Sequence, residues 1–314
     1  MRRLVLVRHD VNFDFIGRRT LFFIVSAILL LGSVATIAFK GLEFGIDFRG
    51  GIMMDIRTKE AGDIAAMRAK LGGLDLGDVG IQEFGGKTDF LINLPQQPGG
   101  DAAQQIAVNK VKEALGAGIE YRRTEVVGPK VGRELLIGGV IATVLAVLAI
   151  TAYVWFRFEW PFAVAAVLAL LHDTLTTVGL FSLLGLEFNL TILAAVLTIA
   201  GYSINDTVVI FDRVRENLRK YKTMPMEELL NRSNNETLAR TVMTVGTLFL
   251  TVVALLFLGG ETLRGFSIAM VWGCIIGTYS SICFAVPILL YFNLRAGLMQ
   301  DDKEEGQEAT AAQP

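Results

Sequence analysis

Cysteine and histidine are scarce, with two of each in 314 residues. Cys274 and Cys283 both fall in the last apolar run, with no histidine or acid beside them, so a metal site there is excluded. The long polar segment has no cysteine, so no disulfide framework holds it. Two histidines also exclude histidine-rich metal chemistry. No nucleophile triad, Walker loop or HExxH pattern occurs. The chain therefore reads as no enzyme and as carrying no cofactor or metal. Charge of one sign is lacking too. The net charge is −2, so the placement of charges informs more than their sum.

Apolar residues make up 53% of the chain, too many for an ordinary soluble domain. Six runs are long enough to cross a bilayer: 21–39, 135–156, 161–184, 190–211, 241–258 and 266–292. The last is long enough to tilt, or to break at Pro287. The first follows a basic stretch but lacks a small-residue cleavage site before Lys40, which fits a signal-anchor helix. Arg2, Arg3, Arg8, Arg18 and Arg19 outweigh Asp10 and Asp14, placing residues 1–20 in the cytoplasm. The apolar part of that stretch is expected along the membrane surface. Arg157, the bases of a helical loop at 212–240, and Arg295 fall on the same side. Residues 293–314 then form an acidic, disordered cytoplasmic tail.

Residues 40–134 are the one large polar segment, extracytoplasmic on this topology. They open with the glycine-rich GLEFGIDFRGG. Strands are expected at 51–57, 79–84, 88–94 and 119–127, with a Gly85-Gly86 hairpin turn. Helices are expected at 61–71 and at 102–115, the second capped by Asp101. The order β-α-β-β-α-β is that of a ferredoxin-like α+β domain. The glycine-rich opening lacks the setting of a nucleotide loop and reads as a hinge at Gly45, Asp47, Gly50 and Gly51.

Polar groups inside the spans carry the functional signal. Asp206 lies within the fourth run, where a carboxylate costs several kcal/mol unless paired, protonated or wetted. A proton relay needs a carboxylate tuned by burial and a nearby cation. Arg240 and Thr244, at i and i+4 at the start of the fifth run, are the candidate companions. His172 and Asp173 in the third run, with Asn205 and Thr207 in the fourth, form a candidate polar network; whether it shuttles protons or only joins helices stays open. With no ATP site, work has to come from an ion gradient, which supplies about 2.3 kcal/mol per charge per 100 mV, or from a partner.

Four motifs together carry a resemblance: FGIDFRGG at 44–51, VGPKVGREL at 127–135, HDTL at 172–175 and GYSINDTVVIFDRVREN at 201–217. With them the chain resembles the SecF members of the SecD/SecF protein-export family, itself similar to the RND exporter superfamily. The resemblance implies a polytopic α-helical membrane protein, half of an RND-like bundle, with one periplasmic domain between helices 1 and 2. It implies pairing with SecD, association with the SecYEG channel, YajC and YidC, unfolded preprotein as substrate, and no nucleic acid. It further implies a bacterial inner membrane location and use of the proton motive force, protons being the coupling ion. Asp206 matches the family's intramembrane carboxylate, and Arg240 and Thr244 the residues proposed to accompany it. The rival readings are an RND-type exporter subunit for small molecules or lipids, and a purely structural assembly subunit.

Overall fold

The computed structural model describes residues 12–83, 86–116 and 118–295. Arg2, Arg3, Arg8, Asp10, Gly85 and the acidic tail lie outside them. Six helices among the described residues are long and apolar enough to cross a membrane. The first, α1 (Arg19–Lys40), leads into a short strand β1 (Glu43–Phe44) and a single turn α2 (Ile46–Arg49). The outward domain follows: β2 (Gly51–Thr58), α3 (Ile64–Gly72), β3 (Gly80–Glu83), β4 (Asp89–Leu94), α4 (Gly100–Leu115) and β5 (Ile119–Val127). The remaining helices are α5 (Pro129–Arg157), α6 (Trp160–Leu184), α7 (Leu190–Lys220), α8 (Met226–Leu258) and α9 (Glu261–Ser280), with strand β6 (Glu187–Phe188) before α7.

The domain sheet runs β3-β4-β2-β5, with every neighbour antiparallel. This is the ferredoxin-like arrangement, with β2 and β4 central. One face of the sheet supplies Ile52, Met54, Ile56, Phe90 and Ile92 to the core. Met67 and Leu71 of α3, with Ala107, Val108 and Val111 of α4, cover it. Period-2 side-chain alternation on the strands and 3.6-residue spacing on the helices make this packing possible. Asp63 caps α3 through the amides of Ala65 and Ala66. Helix α4 instead begins one residue before Asp101, after Gly99 in a left-handed conformation, so Asp101 sits in the first turn rather than at the cap.

In the bundle, α6, α7 and α9 form the interior, while α1, α5 and α8 present much of their apolar surface outward. Helix α1 packs closely along α6: a Cβ built on Gly179 would lie 2.3 Å from Ser33 Cβ. Small residues at such crossings let backbones approach, which replaces the missing hydrophobic drive in lipid.

Three helices exceed the apolar runs that seed them. Helix α5 already begins at Pro129, a residue suited to a first helical turn. Helices α7 and α8 reach out to Lys220 and Met226, so most of the 212–240 loop is a helical extension of the spans, closed by a turn at residues 221–225. At 31 residues, α7 is about 46 Å long, well beyond a hydrocarbon core of about 30 Å. Residues 12–16 do not lie free on a membrane surface. Asn235 Oδ1 accepts from Phe13 N at 2.8 Å and Asn231 Oδ1 from Phe15 N at 2.8 Å, while Ile16 is buried in the bundle core. Two asparagines at i and i+4 on one helix face can bind an extended segment in this way, and local pattern does not reveal it.

The sixth span is one helix only as far as Ser280. A π-helical turn, Ser281–Ala285, precedes a short α10 (Val286–Ile288) and a 3-10 turn, Leu289–Tyr291. Pro287 lacks an N–H and crowds the carbonyl four residues back, so the ladder widens ahead of it. Asn234 Nδ2 donates to the Ile282 carbonyl in that widened turn at 3.1 Å.

Candidate functional site within the membrane bundle

Two carboxylates lie inside the bundle in unlike surroundings. Asp173 on α6 is completely buried. Its Oδ2 accepts from Ser203 Oγ on α7 at 2.5 Å and from Ser280 Oγ on α9 at 2.8 Å. Its Oδ1 lies 3.1 Å from His172 Nδ1. The His172 ring stacks on Phe284, 5.1 Å between centroids, and its Nε2 is buried without a hydrogen-bond partner. Thr176 and Thr177 hydroxyls bond back to the Asp173 carbonyl. One turn along α7, Thr207 Oγ1 meets Ser281 Oγ at 2.8 Å. This network joins three helices and is satisfied at almost every atom, as a buried polar cluster must be to avoid a large desolvation cost.

Asp206, three residues beyond Ser203, is 3% exposed. Its Oδ2 is buried and has no hydrogen-bond partner among the described residues. The Tyr202 hydroxyl, one turn earlier, is likewise buried and unpartnered. Arg240 on α8 lies within electrostatic reach of Asp206, yet no ion pair joins the two among the described residues. Thr244 Oγ1 donates to the Arg240 carbonyl at 2.9 Å, its i−4 neighbour, rather than to Asp206. Arg240 stands on an exposed face of α8; the buried hydroxyl there belongs to Thr241, whose Oγ1 also lacks a partner. Asp206 thus has a buried oxygen with no donor among the described residues and a cation nearby, whereas Asp173 Oδ2 accepts from two serines.

The structure thus brings Asp206 toward Arg240, and His172 and Asp173 to each other. It links Thr207 to the neighbouring serine pair. Asn205 points to the exposed face of α7 and joins neither group. Sequence reasoning missed Ser203, Ser280 and Ser281. Their signal was the spacing of Ser203 and Thr207 at i and i+4 on the helix that carries Asp206.

The glycine-rich segment is fixed at one end. Gly45 N donates to the Phe188 carbonyl at 3.0 Å, and β1 pairs in parallel with β6. Asp47 Oδ2 accepts from Leu190 N at 2.9 Å, and Asn189 Oδ1 from Ile192 N at 3.1 Å, so both satisfy first-turn amides of α7. Phe44, Phe48, Phe181 and Phe188 pack edge and face around this junction. Gly50 and Gly51, both at positive φ, make the bend into β2; a Cβ on Gly51 would meet the Leu94 carbonyl at 2.5 Å.

Comparison with known proteins agrees with this architecture. The family profile "Protein export membrane protein SecD/SecF, C-terminal" matches residues 107–295, and the "SecD/SecF GG Motif" matches residues 36–61. "Protein translocase subunit SecF" of Cereibacter sphaeroides is 44% identical over 98% of this chain and 97% of that relative. The protein of the same name from Rickettsia rickettsii is 43% identical over 92% of this chain and 94% of that relative. The crystal structure of SecDF, a translocon-associated membrane protein from Thermus thermophilus, superposes with a TM-score of 0.83 at 36% identity, covering 91% of this chain. SecDF in a super-membrane-facing form superposes at 0.66 with 34% identity, covering 96% of this chain. The chain spans about two fifths of the length of either SecDF chain. Profile, relatives and fold agree, and the chain belongs to the SecD/SecF family of protein-export membrane proteins.

Proposed function

We propose that this chain is the SecF-type half of an inner-membrane SecD–SecF complex. The complex uses the proton motive force to promote preprotein translocation through the SecYEG channel and release from it. YajC and YidC are further associates on this reading, and both termini lie in the cytoplasm. The observation that supports it most is Asp206: a buried carboxylate with an unpartnered oxygen, opposite an arginine it does not touch. Protonation cancels its attraction to Arg240. The chain's bundle then shifts against that of the partner, and the shift reaches the periplasmic domain through the Gly45–Gly51 segment, bending at Gly50 and Gly51. Asp173, with its full set of donors, holds α6, α7 and α9 together during that shift.

The test is reconstitution of the complex in proteoliposomes with an imposed proton gradient. Asp206→Asn is expected to assemble normally and to lose both proton flux and gradient-dependent stimulation of export. Full stimulation in that variant would overturn the proposal.

A further inference from the structure

A cleft of about 550 Å³ opens where the end of α5 meets the extension of α7, lined by Arg157, Asp212, Arg215, Glu216, Arg219 and Lys220. Five of these residues follow the i, i+3, i+4 spacing of one helix stripe on α7. The two acids are already engaged. Asp212 accepts from Arg157 at 2.9 Å, and Glu216 from Arg213 at 2.6 Å. Arg215, Arg219 and Lys220 remain as a surplus of positive charge. Arg215 donates from one guanidinium nitrogen to the Arg157 carbonyl at 3.4 Å. Three bases lining one cleft whose two acids are already paired repel one another, which makes it a place for an anion.

The surroundings say which anion. Tyr153, Trp155 and Phe156 stand exposed on the last turns of α5, immediately before Arg157, and Trp160 stands exposed just after it, packed on Phe292. Exposed tryptophan and tyrosine at the end of an apolar helix mark the level of lipid headgroups. The cleft therefore sits where the acyl chains of a bilayer end and phosphates begin. Arginine suits such a site, since its planar fork binds phosphate oxygens in pairs.

We propose that this cleft is a binding site for the headgroup of an anionic glycerophospholipid, with Arg215, Arg219 and Lys220 facing the phosphate and the α5 aromatics against the acyl chains. Helix extensions rich in bases beside a membrane attract anionic lipid, and a cleft between helices turns that attraction into a site. The proposal does not rest on proton coupling at Asp206.

The test uses the full-length chain in its complex with SecD, in bilayers of phosphatidylcholine with spin-labelled phosphatidylglycerol as the probe. The wild-type complex should immobilise the anionic probe in preference to a labelled phosphatidylcholine. The triple variant Arg215→Gln, Arg219→Gln, Lys220→Gln should reduce that preference at least about fivefold. The variant Arg215→Lys, Arg219→Lys, which keeps the charge but loses the planar forks, should fall between wild type and the triple variant. A control with Lys59→Gln and Lys110→Gln in the outward domain should match wild type. Unchanged preference in the triple variant would overturn the proposal. So would full displacement of the probe by millimolar inorganic phosphate, which would identify a site for a free anion instead.

Discussion

Asn93, on central strand β4 of the outward domain, donates from its Nδ2 to Oε1 of Glu187 at 2.5 Å, joining that domain to the turn between α6 and α7. Glu187 is half-buried and faces Glu43, its register partner across the β1–β6 pair, with Asp47 and Arg49 nearby. Burial pushes its carboxyl above the ordinary glutamate range. The Asn93 amide and Arg49 pull it back, and Glu43 and Asp47 push it further up. The docked form thus binds a proton more tightly than a free glutamate, so docking is favoured at low pH and weakens as pH rises through the raised value. Hydrogen exchange at residues 186–190 should quicken as pH rises through that window, after correction for intrinsic rates. Glu187→Gln, which keeps the uncharged form, should remove the dependence.

Asp89 should behave in the opposite sense. Hydrogen bonds from Arg57 at 2.7 and 3.2 Å, opposed by burial, hold its carboxyl below the ordinary range, with help from Thr88 and Arg122. A depressed carboxyl contributes stability above its unfolded-state value and loses it as pH falls through the folded one. Asp89→Asn is expected to cost the domain about 1–2 kcal/mol, since both arginines are half exposed. The measurement is native-state hydrogen exchange of the β2 and β4 amides in the full chain at neutral pH.

Gly179→Ala should separate α1 from α6. The new methyl would lie 2.3 Å from Ser33 Cβ and 2.7 Å from its Cα, a contact the backbone can relieve only by moving. Overpacking of this kind costs about 1–3 kcal/mol. Thermal unfolding of the complex in detergent should begin at lower temperature. Gly201→Ala, where an added Cβ meets nothing within 4 Å, should leave it unchanged.

Ser203→Ala and Ser280→Ala should not be additive. Each removes one donor to Asp173 Oδ2. The first loss leaves the other serine in place, whereas the second strands a buried oxygen, at about 1–3 kcal/mol. A double-mutant cycle of unfolding midpoints in detergent measures the excess.

The outward domain was legible because its strands and helices are bounded by local signals: β2 and β5 fall on the expected 51–57 and 119–127 to within a residue. Asp206 was legible because a carboxylate in an apolar run is conspicuous. What escaped depends on residues far apart in the chain. Asp47 reads as part of a loose hinge, yet its carboxylate accepts from an amide 143 positions away. Asn231 and Asn235 lie in a stretch that reads only as a helical loop, yet they bind the segment before α1. A polar side chain announces that it needs a partner; its neighbours in sequence do not say which.

The bond from Asp47 to the first turn of α7 gives that helix a second role. From Leu190 to Asp206 is sixteen helical steps without a break, about 24 Å of stiff rod. At one end sits the acid, and at the other the residue that leads, four positions later, into the middle of the domain's sheet. On the proposed function, an axial slip of the helix would reach β2 through the short segment that follows Asp47. A long soft linker would absorb such a slip; here Phe48, Arg49 and Gly50 alone stand between Asp47 and the strand on which the outer domain is built.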